Sequence, residues 1–196
     1  MLKTEMSVVC TELLKTATRE NHQETEAALL PLLKGIRKTA DYAAVLRIFY
    51  GYYHPLEQRI GALVGADLLP DIDSRRKSGW LLHDLEQLDL LPQNLPQAPA
   101  LPLLENPLQA LGALYVLEGS TLGGTIIAKM LQSNPHIQLP DAALTFFRGY
   151  GSATAAYWKA FRRHLDAAVR TEAEAEPVVR AANDTFLHLK HWILNK

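Results

Sequence analysis

His22 lies in the segment LLKTATRENHQETEAALL, with Lys15 seven residues before it, Arg19 three before it and Glu26 four after it. On a helix these spacings bring all four to one side. An imidazole in that setting can ligate a metal while the carboxylate one turn away accepts the proton of its other ring nitrogen and orients the ring. The two cations suit an anionic ligand held beside it. A core histidine satisfied by a neighbour, surrounded by ordinary surface charges, is the alternative that these residues alone leave open.

The second feature is an absence of side chains. The apolar run ALGALYVLEGSTLGGTIIAKML carries Gly112, Gly119, Gly123 and Gly124 in what otherwise reads as one helix. Each interior glycine costs a helix roughly 1 kcal/mol relative to alanine, so something must require the bare backbone. Gly119 and Gly123 are four apart and share a face, with Ser120 beside them and Gly112 two turns upstream. Close packing of another helix would explain such a face, and so would a flat ligand laid against the backbone. A planar metal macrocycle bound axially by His22 needs its opposite side covered, yet with space for a diatomic molecule and water. Glycines leave that space, and they ease local kinking.

These residues need helices to place them, and the chain reads as all-α. Apolar residues recur at spacings of three and four, without alternating strand patterns or Asn-Gly and Asp-Gly hairpin turns. The periodicity predicts helices over about 10 to 34, 40 to 64, 73 to 90, 107 to 132, 141 to 149, 152 to 171 and 175 to 194. Leu14, Thr18, His22, Thr25 and Leu29 form one stripe of the first, which puts His22 on its inward face. Thr39 and Asn106 are the expected N-caps, the latter followed by Pro107 at the first helical position. Pro55 is expected to bend the second helix. Five prolines between residues 92 and 107 forbid helix there and predict a packed crossover between two halves of one domain, 1 to 196.

Composition narrows the partners. With 196 residues, 48% hydrophobic and 21% charged, one ordinary domain with a real core is expected. A formal charge of -1 offers no general attraction to nucleic acid or to an anionic membrane. Cys10 is the only cysteine, so no disulfide framework is possible, in keeping with a reducing cytoplasm. Neither the broken apolar start of the chain nor the helix containing Glu118 reads as a secretion signal or a membrane span.

On the residues quoted, the sequence resembles the heme oxygenases, and LEGSTLGG (117 to 124) resembles the bacterial branch associated with phytochrome chromophore synthesis. The similarity covers nearly the whole chain and implies a single-domain helical bundle with heme between a proximal and a glycine-kinked distal helix. It makes His22 the axial iron ligand, puts Lys15 and Arg19 near the heme propionates, and gives Glu26 the orienting role. Gly119 and Gly123 map onto two distal glycines. Tyr53, in YGYYHPLEQ, falls at a distal hydrogen-bonding tyrosine. Arg162 takes the position of a propionate-binding arginine and Phe186 that of a pocket-lining phenylalanine. Ser120 stands where most members carry an aspartate that anchors a proton-delivering water cluster, and its hydroxyl cannot replace a carboxylate's charge.

The resemblance implies that heme is both substrate and cofactor, opened with O2 to biliverdin, carbon monoxide and ferrous iron. Electrons must come from outside, from a ferredoxin or a reductase, because no nucleotide-binding glycine motif follows a strand. A bacteriophytochrome is an implied recipient of the biliverdin. The alternatives are a heme carrier or sensor that does not turn over, and a related helical enzyme acting on another heterocycle. Of the rest, Arg75, Arg76 and Lys77 read as a solvated helix start with a minor role in docking an acidic ferredoxin. Trp158, Phe161, Leu189 and Trp192 read as core, and the other six histidines, including His188 and His191, have no consistent ligand spacing.

Overall fold

The computed structural model describes residues 9 to 196, which form helices joined by turns and contain no strand. The elements are α1 (Cys10–Ala17), α2 (Arg19–Lys34), α3 (Thr39–Leu63), α4 (Ser78–Gln87), α5 (Pro107–Gln132), α6 (Thr145–Arg148), α7 (Thr154–Ala168) and α8 (Glu172–Leu194), with short 3-10 turns at 72–75, 141–144 and 151–153. Helix α5 is the axis of the bundle, packed along α8 and flanked by α3, α6 and α7, while α2 lies on α8 at one side.

The segment read as one first helix is broken at Thr18, whose backbone leaves the helical region at φ −100° and ψ 0°. Its hydroxyl and its N–H both donate to the Leu14 carbonyl, at 2.8 and 2.9 Å, closing the last turn of α1. At the other end of α1, Thr11 donates its N–H and hydroxyl to the two carboxylate oxygens of Asp166 at 2.9 Å each, tying α1 to α7.

The cap of α3 is Lys38, one residue before the expected Thr39. Asp41 decides it by accepting the N–H groups of Arg37 and Lys38 at 2.9 and 3.1 Å. Pro55 sits within α3 without ending it. The predicted helix 73 to 90 begins later, at Ser78, because the Glu57 carboxylate gathers the N–H groups of Lys77 and Ser78 and the Ser78 hydroxyl at the start of α4. Asn106 caps α5 as expected, accepting from the Gln109 N–H at 3.0 Å. Thr171 and Glu174 form a capping box on α8.

The proline-rich crossover is packed. Ala98 donates to the Gly51 carbonyl at 2.8 Å, and Arg47 and Arg59 donate to the carbonyls of Leu90 and Pro102. Leu95, Ala98, Leu101 and Leu104 lie against the core. Helix α5 is long and apolar enough to cross a bilayer, yet 61% of that stretch is buried inside the bundle, and its acid, Glu118, is paired internally. It runs unbroken through all four glycines.

Candidate functional site

Helices α1, α2, α5, α7 and α8 enclose a cavity of about 530 Å³, a volume suited to a sizeable organic ligand. Thr18, His22, Thr25 and Leu29 of the predicted stripe line one wall, and Gly119, Ser120 and Gly123 line another. The His22 side chain is 54% exposed, so its ring stands in the cavity rather than in the close-packed core that the stripe suggested. Nε2 lies 3.2 Å from Glu26 Oε1, and the ring centroid is 5.2 Å from that of Phe186. Glu26 thus stands within ion-pair reach of one ring nitrogen, and the Phe186 ring packs against the imidazole at a tilt of 33°.

The four glycines divide by function. A side chain at Gly112 would collide with the Val178 carbonyl of α8, and one at Gly124 with the Phe147 carbonyl of α6. Those two let backbones approach. A Cβ at Gly123 would meet nothing within 4 Å, and one at Gly119 would come no nearer than 3.8 Å, to the Trp158 ring. These two present bare helix to the cavity. Gly112 therefore leaves the ligand face where the spacing had placed it.

Next to the bare strip, the buried Tyr53 donates its hydroxyl to Ser120 Oγ at 3.1 Å, and Ser120 Oγ donates to the Leu117 carbonyl at 2.7 Å. Burial pushes the Tyr53 phenol well up, only partly offset by the Ser120 bond, while Glu57 and Glu118 push it further, so it remains a proton donor.

Of the predicted cations, Lys15 and Arg162 line the cavity. Lys15 has no ion-pair partner among the described residues, whereas Arg162 reaches Glu12 Oε1 at 2.8 Å and Thr11 Oγ1 at 3.2 Å. Arg19 is exposed at the start of α2, outside the lining. The break at Thr18 places Lys15 in α1 and Arg19 at the first position of α2.

Two expectations are overturned. Trp158 lines the cavity, facing Gly119 and 5.4 Å from Tyr115 by ring centroids, while Phe161 and Trp192 are core as read. Arg75 and Lys77 are not solvated: each is 1% exposed. Both pair with Glu118, and Lys77 reaches the cavity wall. Only Arg76 of that run is exposed, beside Asp73. Sequence reasoning missed Glu118, although an acid inside an apolar helix calls for a buried cation, and a basic triplet elsewhere in the chain is where to look for one.

The chain matches the heme oxygenase family model over residues 9–195. Its fold is similar to that of heme oxygenase from Leptospira interrogans, 20% identical with a TM-score of 0.76, covering 97% of this chain and 100% of the other. It is also similar to the NO- and CO-bound heme oxygenase from Neisseria meningitidis, 19% identical, TM-score 0.73, covering 95% and 90% of the two chains. A third likeness is to heme oxygenase-1 from the cyanobacterium Synechocystis sp. PCC6803 in complex with heme, 19% identical, TM-score 0.72, covering 96% and 92%. No curated protein sequence matches it significantly. With a family match across the whole described bundle, and a cavity walled by one histidine and one stretch of bare helix, the chain belongs to the heme oxygenase family.

Proposed function

We propose that this protein is a heme oxygenase that converts heme to biliverdin in the cytoplasm. One observation carries the proposal: the exposed His22 ring and the side-chain-free faces of Gly119 and Gly123 line the same cavity. The residues fit the group. An exposed histidine ring, apolar walls from Leu29, Val116, Ile127 and Phe186, and the cations Lys15 and Arg162 answer an iron, a flat macrocycle and two carboxylates respectively. Bound there, heme would be substrate and cofactor together, supplying the redox-active iron and the ring that O2 opens to biliverdin, with carbon monoxide and ferrous iron released and electrons taken from a ferredoxin or a reductase.

The chain's own work is positioning. His22 offers a lone pair, held in orientation by Glu26 and Phe186. Lys15 and Arg162 would hold the carboxylates of the bound group. The bare faces of Gly119 and Gly123 would leave room for a small ligand on the bound group, beside the apolar side chains of Trp158, Val116 and Ile127. Tyr53 and Ser120 hold a hydroxyl chain there in place of a carboxylate. A bacteriophytochrome is the consumer this reading assigns to the product.

The experiment is to add hemin, record the Soret band, and supply ascorbate or reduced ferredoxin with oxygen. Loss of the band with formation of a green pigment is expected. A stable band without decay would make the protein a heme carrier or sensor, and failure to bind hemin would remove it from heme chemistry altogether.

A further inference from the structure

Helix α1 begins without a cap of its own, since Val9 has no side-chain oxygen to accept an orphan N–H of the first turn. Asp166 of α7 takes that place. Its two carboxylate oxygens accept the N–H and the hydroxyl of Thr11, at 2.9 Å each. With the Thr11 proton committed to Asp166, Oγ1 keeps only lone pairs, and one of them accepts Nη2 of Arg162 at 3.2 Å. The same Nη2 reaches Glu12 Oε1 at 2.8 Å. Arg162 and Asp166 are one turn apart on α7, so together they clasp two neighbouring residues in the first turn of α1.

The clasp holds the guanidinium at one end. Nε and Nη1 of Arg162 have no hydrogen-bond partner among the described residues, and the side chain is 40% exposed on the cavity wall. A planar guanidinium carries donors along both edges, so a hold on Nη2 leaves an edge for a ligand carboxylate. Lys15 stands one turn beyond Thr11 on α1, lines the same cavity and has no ion-pair partner among the described residues. The residue that anchors Arg162 therefore shares a helix face with the other cation.

Folding alone does not call for this arrangement. Thr11 is 2% exposed, and its two bonds to Asp166 already join α1 to α7. An ion pair as exposed as that of Arg162 with Glu12 stabilises little. Ordering a long side chain before the ligand arrives removes an entropy cost from binding instead.

Resting on the heme reading above, we propose that Thr11, locked by Asp166, is a positioning residue for carboxylate recognition: it holds Arg162 of α7 at a set distance from Lys15 of α1, and so makes the cavity selective for a ligand bearing two carboxylates. Thr11 acts through Arg162 and needs no contact with the ligand.

The test compares hemin with hemin dimethyl ester, which keeps the iron and the ring but lacks both negative charges, by absorption titration. The unsubstituted protein is expected to bind hemin roughly tenfold more tightly than the ester. Thr11→Val keeps the shape and the backbone bond to Asp166 while removing the hydroxyl. It is expected to weaken hemin about fivefold, the size of one hydrogen bond, and to leave the ester within about twofold. Thr11→Ser restores the hydroxyl and is expected to bind both as the unsubstituted protein does. In an Arg162→Ala background Thr11→Val is expected to cost hemin nothing further. Should Thr11→Val fail to fold, Asp166→Asn reads the same property: its amide N–H competes with Arg162 for the Thr11 lone pairs, and the same loss confined to hemin is expected. Equal weakening of hemin and ester, which a loosened α1 would produce, overturns this inference alone. So do unaltered hemin affinity in Thr11→Val, an undiminished Thr11→Val effect without Arg162, and equal affinity of the unsubstituted protein for hemin and ester. Absence of a hemin complex in the unsubstituted protein overturns the heme reading and this inference with it.

Discussion

The Tyr53 hydroxyl donates to Ser120 Oγ across 3.1 Å, joining α3 to the bare stretch of α5. Tyr53 is 1% exposed, so this bond is what satisfies its hydroxyl. Ser120→Ala should therefore lower the stability of the heme-free protein by about 1 to 3 kcal/mol, read by denaturant unfolding, because it strands a buried donor. Ser120→Asp should keep heme turnover while changing its rate or the position of ring cleavage. Identical unfolding midpoints for Ser120→Ala and the unsubstituted protein would mean that the bond does not hold α3 to α5.

The glycines should separate under substitution. Gly112→Ala and Gly124→Ala force a methyl into the carbonyls of Val178 and Phe147 and should cost roughly 1 to 3 kcal/mol of folding stability. Gly123→Ala meets nothing and should stabilise the heme-free protein by up to about 1 kcal/mol, through helix propensity alone. Replacing Gly119 with a larger residue should obstruct turnover. Equal destabilisation by alanine at 112, 123 and 124 would contradict the division.

How far the sequence could be read follows from the range of the forces involved. The helix of α5 and its Asn106 cap are local, and residues 106 to 109 contain everything the cap needs. His22, Glu26 and the Gly119, Gly123 face were legible because one-turn spacing sets them. The purpose of Gly112 and Gly124 was not, since it is fixed by carbonyls of α8 and α6 that no periodicity announces. The same holds for Arg75 and Lys77: a basic triplet looks solvated until Glu118 arrives from another helix. The break at Thr18 is likewise not encoded in the apolar stripe, which continues across it from Leu14 to His22.

Lys15 and Arg162 line the cavity and Arg19 does not, so their substitutions should rank accordingly. Lys15→Ala and Arg162→Ala should each weaken hemin affinity by roughly tenfold, the size of one charge-assisted hydrogen bond. Arg19→Ala should change it by no more than about twofold, as for an exposed charge. Hemin titration by tryptophan quenching measures all three. A larger loss at Arg19 than at Lys15 would require α2 to turn over α1 when heme binds.

Burial pushes the Cys10 thiol up from 9.0 to about 12, with Asp166 adding to the effect. The folded state thus disfavours the thiolate, and this group's contribution to stability falls as pH rises from about 9 towards 12. At pH 8 a disulfide reagent should react with Cys10 only after denaturant is added. Prompt stoichiometric reaction of the native protein would show that the start of α1 opens readily.

The central claim is that heme iron is held by His22 opposite the Gly119 and Gly123 faces, and one hemin titration of His22→Ala with and without added imidazole tests it directly. The expected result is loss of the histidine-ligated Soret spectrum in the variant and its return when free imidazole fills the vacated space. A His22→Ala complex whose spectrum matches that of the unsubstituted protein, with no response to imidazole, would contradict it.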